Sequence, residues 1–303
     1  MKNINAQNER CGFFPACGGC SYLDLNDDEY QKIKLTQLKN DLAEIFLEKG
    51  DEALSHENQA LQADKFFQNL EFFSVGAKSR RKILLQVGEK NQLGFFAKAS
   101  KELVEIDVCY VAQDEISAII LPLKNFLKTF ENNCISQIAI TAFDSGIDVV
   151  FVAKRELNFA QTQKIITFAK AFKINASCRL KNQLTPILMQ HQNQISYANF
   201  SIDLASDIFI QATKKGLQKI TQIVAEFIKN KFDKKILVAD IYTGFGAYSF
   251  GVVELVKEID AFEGSDRPRK LVGSDQLFRE EKSSNADNII DVMLAEQHRF
   301  YSN

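Results

Sequence analysis

The spacing of apolar positions changes character several times along this chain. Between Asn26 and Gly50 the apolar residues Ile33, Leu35, Leu38, Leu42, Ile45 and Phe46 recur at helical intervals, with Asn26 and Asp27 able to cap the start and Gly50 able to stop the end. That pattern predicts a helix, and the polar stretch 51–64 after it reads as a loop or a weakly ordered insertion. From Phe72 onward the runs become short and rich in β-branched and aromatic residues: KILLQV at 82–87, QLGFF at 92–96, ISQIAITAF at 135–143 and IDVVFVA at 147–153. Asp144-Ser145-Gly146 makes a short hairpin connection between the last two, and a helical stretch is expected near 112–130. A further helix at 158–172 and strands between 174 and 200 complete an α+β pattern. From about Ile208 the order becomes helix, strand, glycine-bearing turn, helix and strand, so a second domain is expected from residue 205.

Composition limits what such a chain can be. With 303 residues, 46% hydrophobic and 25% charged, it can bury two cores and does not read as disordered. No apolar run approaches the roughly 18 residues of a membrane span, and the first twenty residues hold no signal-peptide core, so a cytoplasmic location is expected. The net charge of −2 neither favours nor excludes a nucleic acid partner. Lys and Arg are locally dense at 78–82 (KSRRK) and 229–235 (KNKFDKK); the second run reads as a solvated face.

Two stretches carry chemistry. CGFFPACGGC at 11–20 places three of the six cysteines at C-x5-C-x2-C spacing, which in a reducing compartment suits a metal or cluster site better than a disulfide framework. Further on, the apolar run KILVADI (235–241) ends in Asp240 and feeds Tyr242-Thr243-Gly244-Phe245-Gly246 before a helix from Ala247. Strand, glycine turn and helix start form the layout of a Rossmann-like nucleotide site, where a missing Cβ lets a ligand approach the backbone. A second strand, 259–262, leads to Glu263, about 20 residues past the turn and placed to accept from ribose hydroxyls. The third glycine of a dinucleotide site is missing, which favours S-adenosylmethionine over NAD.

Together these pieces resemble the iron-sulfur-bearing RNA uracil-C5 methyltransferases that modify large-subunit ribosomal RNA. The resemblance rests on the C-x5-C-G-G-C cluster, on Ser79-Arg80-Arg81-Lys82 followed by LGFFAKASKELVEIDVC, on Phe209-Ile210-Gln211, on Asp240-Ile241-Tyr242-Thr243-Gly244-Phe245-Gly246 and on AFEG with Glu263. It implies an α/β fold: an N-terminal α+β iron-sulfur and RNA-binding domain at 1–204, then an incomplete Rossmann-like methyltransferase domain at 205–303. It implies Cys11, Cys17, Cys20 and Cys109 as ligands of a structural [4Fe-4S] cluster, with tetrahedral zinc as the competing occupant. It implies Gln211, Asp240, Tyr242, Gly244, Gly246 and Glu263 around S-adenosylmethionine. For ribosomal RNA it implies Arg80, Arg81 and Lys82 on phosphates and Phe209 stacked on a flipped uracil. Cys134 and Cys178 read as small core residues.

The match has limits that shape the expectation. No small β-barrel precedes the cysteines, Ala212-Thr213 follows Gln211 where the family has Val-Asn, and Thr243 stands for the usual Cys. In the family a cysteine thiolate adds to C6 of uracil and a carboxylate later removes the C5 proton, from Asp-Pro-Pro-Arg and Ser-Cys-Asn-Pro segments. This sequence has neither segment and no cysteine after Cys178, so no catalytic residue is assigned. The chain alone is expected to lack turnover, as a truncated methyltransferase relative or a non-catalytic iron-sulfur RNA-binding protein. A zinc-stabilised domain with an unrelated small-molecule site is the remaining alternative. A parallel sheet of so few strands leaves an edge for a protein partner to cover.

Overall fold

The computed structural model describes residues 11–48, 70, 72–131, 133–197, 200–232 and 236–262. The chain divides into two compact units, Met1–Gly76 with Phe96–Lys101, and Ala77–Phe95 with Glu102–Asn303. The 204/205 boundary drawn from the sequence falls inside the second unit, at the end of a strand.

The first unit holds the turn-rich cysteine segment and helix α1, Asp27–Glu48. Asn26 and Glu29 exchange reciprocal bonds, Glu29 N–H donating to Asn26 Oδ1 at 2.9 Å and Asn26 N–H to Glu29 Oε2 at 3.1 Å, which satisfies amides that the first turn leaves free. The anticipated stop at Gly50 and the loop 51–64 lie outside the described residues. The helix packs on its own unit through aromatic rings: Tyr30 meets Tyr22 at 5.6 Å and Phe72 at 5.7 Å, and the Lys34 ammonium sits 4.4 Å over the Tyr22 ring. Through Leu42 its side chains are at most half-buried, including Ile33 and Leu35.

The second unit is built on a seven-stranded sheet. Its strands are β1 (Lys82–Val87), β2 (Leu93–Phe96), β3 (Leu103–Glu105), β4 (Ile135–Phe143), β5 (Gly146–Ala153), β6 (Asn175–Leu180) and β7 (Gln183–Leu188), in the order β3-β2-β1-β4-β5-β6-β7. Most neighbours are antiparallel; among the described pairings of this sheet only β5 and β6 run parallel. Helix α3 (Phe159–Phe172) explains that exception, because a crossover helix is what returns the chain to start a parallel neighbour. Asn158 caps α3 by accepting from Gln161 N–H at 2.9 Å. Helix α2 (Asp114–Leu127) buries Ile116, Ile119, Ile120, Leu123 and Leu127 at helical spacing.

The strand pair β8 (Asn193–Tyr197) and β9 (Phe200–Leu204) forms a separate antiparallel hairpin. An extended linker then leads into α4 (Lys214–Lys231), capped by Thr213, whose Oγ1 accepts from Gly216 N–H at 3.1 Å. Last come β10 (Leu237–Ile241), the short helix α5 (Ala247–Val252) and β11 (Glu258–Phe262). β10 and β11 pair in parallel over five residues, from Leu237 opposite Glu258 to Ile241 opposite Phe262. One apolar cluster joins Phe143, Ile195, Ile202, Leu204, Ile208, Ile210, Leu217, Phe245 and Phe250, and so fastens hairpin, linker, α4 and glycine turn together. A second, of Ile228, Val252, Val256 and Ile259, packs α4 and the segment after α5 beneath β11.

Candidate functional site

The strand-turn-helix expected at 235–247 is present. Three residues of the turn are left-handed, Tyr242 at φ 62°, Gly244 at φ 63° and Gly246 at φ 82°. Gly246 precedes α5 directly, and a Cβ there would come within 3.0 Å of the Phe250 ring, so position and conformation both favour glycine. Tyr242 adopts the same region with a side chain, a strained conformation for a non-glycine residue, and is 83% exposed. Asp240 ties the turn to the helix through one oxygen: its Oδ2 accepts from Thr243 Oγ1 at 2.8 Å and Ser249 Oγ at 2.6 Å. Thr243 N–H donates to the Phe262 carbonyl at 3.0 Å, fastening the turn to the end of β11. Glu263, the expected ribose-binding acid, lies just outside the described residues.

Phe209-Ile210-Gln211 lies in the linker. Extended backbone alternates its side chains, and the linker obeys: Ile208 and Ile210 are buried in the apolar cluster while Phe209 between them is 74% exposed. Gln211 Nε2 lies 3.5 Å from Tyr248 Oη, so the segment reaches the glycine-turn helix. Gln211, Asp240, Gly244 and Gly246 therefore belong to one neighbourhood built on β10, α5 and the linker.

The basic triplet departs from expectation. Arg81 is 3% exposed; its Nε donates to the Gln211 carbonyl at 2.8 Å and its backbone N–H to the Ala212 carbonyl at 2.9 Å. Burial pulls the Arg81 guanidinium below its usual range, offset in part by the Asp144 charge, and its Nη2 has no hydrogen-bond partner. Lys82 Nζ donates to the Ile208 carbonyl at 2.7 Å and lies 3.6 Å from Asp207, which also pairs with Arg179. Two of the three cations expected on RNA phosphate are thus engaged by protein, because the stretch that leads into β1 runs alongside the linker. Arg80 is half-buried, its backbone bridged to Ala112 and Thr213.

The sequence reading did not anticipate Asp144 and Lys214. The carboxylate accepts from Lys214 Nζ at 2.8 and 2.9 Å and from Ser196 N–H at 2.8 Å. Burial pushes Asp144 up, but Lys214, the Ser196 amide and the Arg81 charge outweigh it and hold the carboxyl below the ordinary range. Ser249 and Tyr248 were missed as well; their one signal is a hydroxyl within the first turn of the helix that follows the glycines.

The cysteine segment is folded by reverse turns, with Cys17 N–H donating to the Phe13 carbonyl at 2.8 Å and Gly18 N–H to the Phe96 carbonyl at 3.0 Å. Cys17 is buried, and its Sγ accepts from Gly19 N–H at 3.4 Å, the kind of amide contact that steadies a thiolate. Cys11 and Cys20 are half-buried in the same unit, while Cys109 is buried in the second. All six cysteines are free of disulfides, so the donor chemistry suits a thiolate-held group. The gathering expected from the sequence is not seen: among the described residues no three His, Cys, Asp or Glu side chains come together in a group that could hold a metal ion. Of the remaining two, Cys134 is fully buried and accepts from Arg155 Nη2 at 3.0 Å and Gln161 Nε2 at 3.4 Å. Cys178 is half-exposed rather than a core residue, and burial pushes its thiol up.

No family model matches the chain. A 23S rRNA (uracil(1939)-C(5))-methyltransferase RlmD of Shewanella woodyi is 22% identical over 273 residues, covering 86% of this chain and 57% of that protein. An uncharacterized RNA methyltransferase of Zymomonas mobilis is 28% identical over 265 residues, covering 84% of this chain and 60% of the relative. Among solved structures, the Pyrococcus abyssi tRNA (uracil-54, C5)-methyltransferase in complex with S-adenosyl-L-homocysteine is similar at a TM-score of 0.56 and 17% identity, covering 85% of this chain and 62% of that one. The chain shares that fold. It is a mixed α/β fold around a large, mostly antiparallel sheet. The chain spans little more than half the length of the curated relatives it matches. Among the described residues no helix is long and apolar enough to cross a membrane.

Proposed function

We propose that this chain is a cytoplasmic, S-adenosylmethionine-dependent RNA uracil-C5 methyltransferase relative whose substrate is 23S ribosomal RNA. The observation that carries the reading is the Asp240-anchored glycine turn, with Phe209 and Gln211 presented on the linker that reaches α5. The donor supplies an activated methyl group, and the chain's part is to bind and orient. Asp240, Tyr242, Gly244, Gly246 and Gln211 would hold the donor, with Glu263 on its ribose. Phe209 would receive the flipped uracil by stacking, and Arg80 would keep the phosphate role. Residues 1–204 serve RNA in this reading, and 205–303 serve the donor and, through Phe209, the flipped base.

The 303 residues by themselves are proposed to bind donor and RNA without turnover. No cysteine follows Cys178, Cys134 is sealed among Arg155 and Gln161, and Cys178 has a thiol pushed the opposite way from an activated nucleophile. Titration calorimetry with S-adenosylmethionine, run beside a 5-methyluridine assay on unmodified 23S rRNA, tests both halves. Binding without product is expected. Product from the isolated chain overturns the inactive reading, and no binding at millimolar donor overturns the donor site.

The cysteine segment is proposed to hold a structural [4Fe-4S] cluster on Cys11, Cys17, Cys20 and Cys109, supported by their spacing and by the Gly19 amide on Cys17 Sγ. A brown, iron-bearing protein is expected; a colourless, zinc-loaded one overturns it. A protein partner is proposed to cover the open edge of the short parallel sheet of β10 and β11, supported by the exposure of Leu237 and Ile241 on β10.

A further inference from the structure

We infer that Arg81 and Lys82 are positioning residues that clamp the linker Asp207–Lys214 and thereby set where Phe209 and Gln211 stand. The inference rests on the reading of those two residues as base and donor contacts.

The bonds fall at the places such a clamp requires. The linker carbonyls they hold are those of Ile208, Gln211 and Ala212, which bracket Phe209 and include Gln211 itself. Arg80 adds a backbone bridge to Thr213, and Asp144 takes Lys214 at the far end. With those carbonyls fixed, the alternation of the extended backbone leaves Phe209 outward and brings the Gln211 amide to Tyr248 on α5. The other face of the linker is held by Ile208 and Ile210 in the apolar cluster. Apolar burial alone fixes which side faces the core; it tolerates sliding along the strand direction. The charged donors remove that freedom, since Arg81 Nε and Lys82 Nζ each reach one carbonyl at short distance. Phosphate binding explains these geometries poorly, because a guanidinium 3% exposed cannot meet an RNA backbone without the linker moving away.

The test uses the full chain with Arg81→Gln, Arg81→Lys and Lys82→Met. Amide exchange over 207–214 should quicken about tenfold in Arg81→Gln, the loss of one charge-assisted hydrogen bond, while the sheet keeps its protection. S-adenosylmethionine affinity should fall by a similar factor of about ten, and should fall no further when Arg81→Gln is added to Gln211→Ala. Arg81→Lys, which keeps one donor, should restore part of both. Lys82→Met, which keeps the aliphatic stem and serves should Arg81→Gln fail to fold, should weaken RNA binding with an unchanged salt slope. Unaltered exchange at 207–214 together with a salt slope reduced by about one unit per lost cation would overturn the clamp in favour of phosphate contacts. Faster exchange in a protein whose parent binds no donor would instead overturn the donor-site reading, and the positioning role with it.

Discussion

Asp240 offers the most direct check on the glycine turn, because one carboxylate oxygen carries both bonds. Each hydroxyl donating to an ionised acceptor contributes about 1.5–3 kcal/mol. Asp240 is half-buried, which places each bond at the lower end, so Asp240→Ala should destabilise by about 3 kcal/mol. The Ser249 hydroxyl, 3% exposed, would be left without its acceptor and holds the figure from falling lower. Asp240→Asn keeps an acceptor oxygen in place and loses only the charge, so about 1 kcal/mol is expected. The chain has no tryptophan, so urea unfolding is best followed by far-UV circular dichroism with tyrosine fluorescence as the second probe. At a slope of about 1–3 kcal/mol per molar urea, the alanine variant should lose one to three molar in its midpoint. Donor affinity should follow the same order, parent above Asn above Ala. An alanine variant within about 0.5 kcal/mol of the parent would show that Asp240 does not organise the turn.

Three further outcomes are expected. Phe209→Ala should weaken RNA binding by about 1–3 kcal/mol, the worth of one stacked base, and leave the unfolding midpoint unchanged because the ring is 74% exposed; equal RNA affinity in a filter-binding assay removes it from the base site. Gly18→Ala would put a Cβ 2.4 Å from the Phe96 carbonyl oxygen, so the cysteine segment must shift off residues 96–98; a loss of about 1–3 kcal/mol and quicker proteolysis at the N-terminus are expected, and unchanged proteolysis refutes the close approach. Burial pushes the fully buried Asp148 carboxyl above its ordinary range, against the Ser206 and Asn193 bonds that pull it down, and its Oδ2 has no partner. A carboxyl raised in the folded state stabilises most when pH lies below the unfolded value and loses that contribution as pH rises through the folded one, so Asp148→Asn should flatten the fall in stability above the ordinary carboxylate range; a parallel pH profile in the variant refutes it.

What the sequence made legible follows the range of the forces involved. KILLQV and ISQIAITAF became strands where their short runs of β-branched and apolar residues indicated, since that preference is a local property. Helix 158–172 formed where its apolar spacing indicated, but the parallel pairing of β5 and β6 that it bridges is a tertiary outcome: α2 likewise lies between two strands, β3 and β4, that are not neighbours. The strand order of the seven-stranded sheet was not readable, since β1 pairs with β4 across α2 and no local pattern records that. The surroundings of the basic triplet were not readable for the same reason. Arg-Arg-Lys on a strand looks alike whether it faces phosphate or a carbonyl, and the carbonyl that Arg81 meets lies 130 residues further along. The apolar neighbours of Cys178 predict a core residue, but β7 beside it is exposed along much of its length and leaves the sulfur half covered.

The linker joins these scales. Ile208, Phe209 and Ile210 would read as one apolar run, and an apolar run invites burial of all three. The hairpin, α4 and the glycine turn bury the two isoleucines from one side, and the carbonyl bonds from Arg81 and Lys82 hold the backbone extended so that Phe209 must face outward. Burying a Phe would stabilise the chain by about 1.5–3 kcal/mol, which this arrangement forgoes. Exposure alone does not mark a site, because Phe159 at the start of α3 is 79% exposed and touches none of this machinery. The difference lies in the neighbours: Phe209 stands two residues from Gln211 on a backbone fixed at both ends, and that fixed presentation is what the proposed stacking on a flipped base requires.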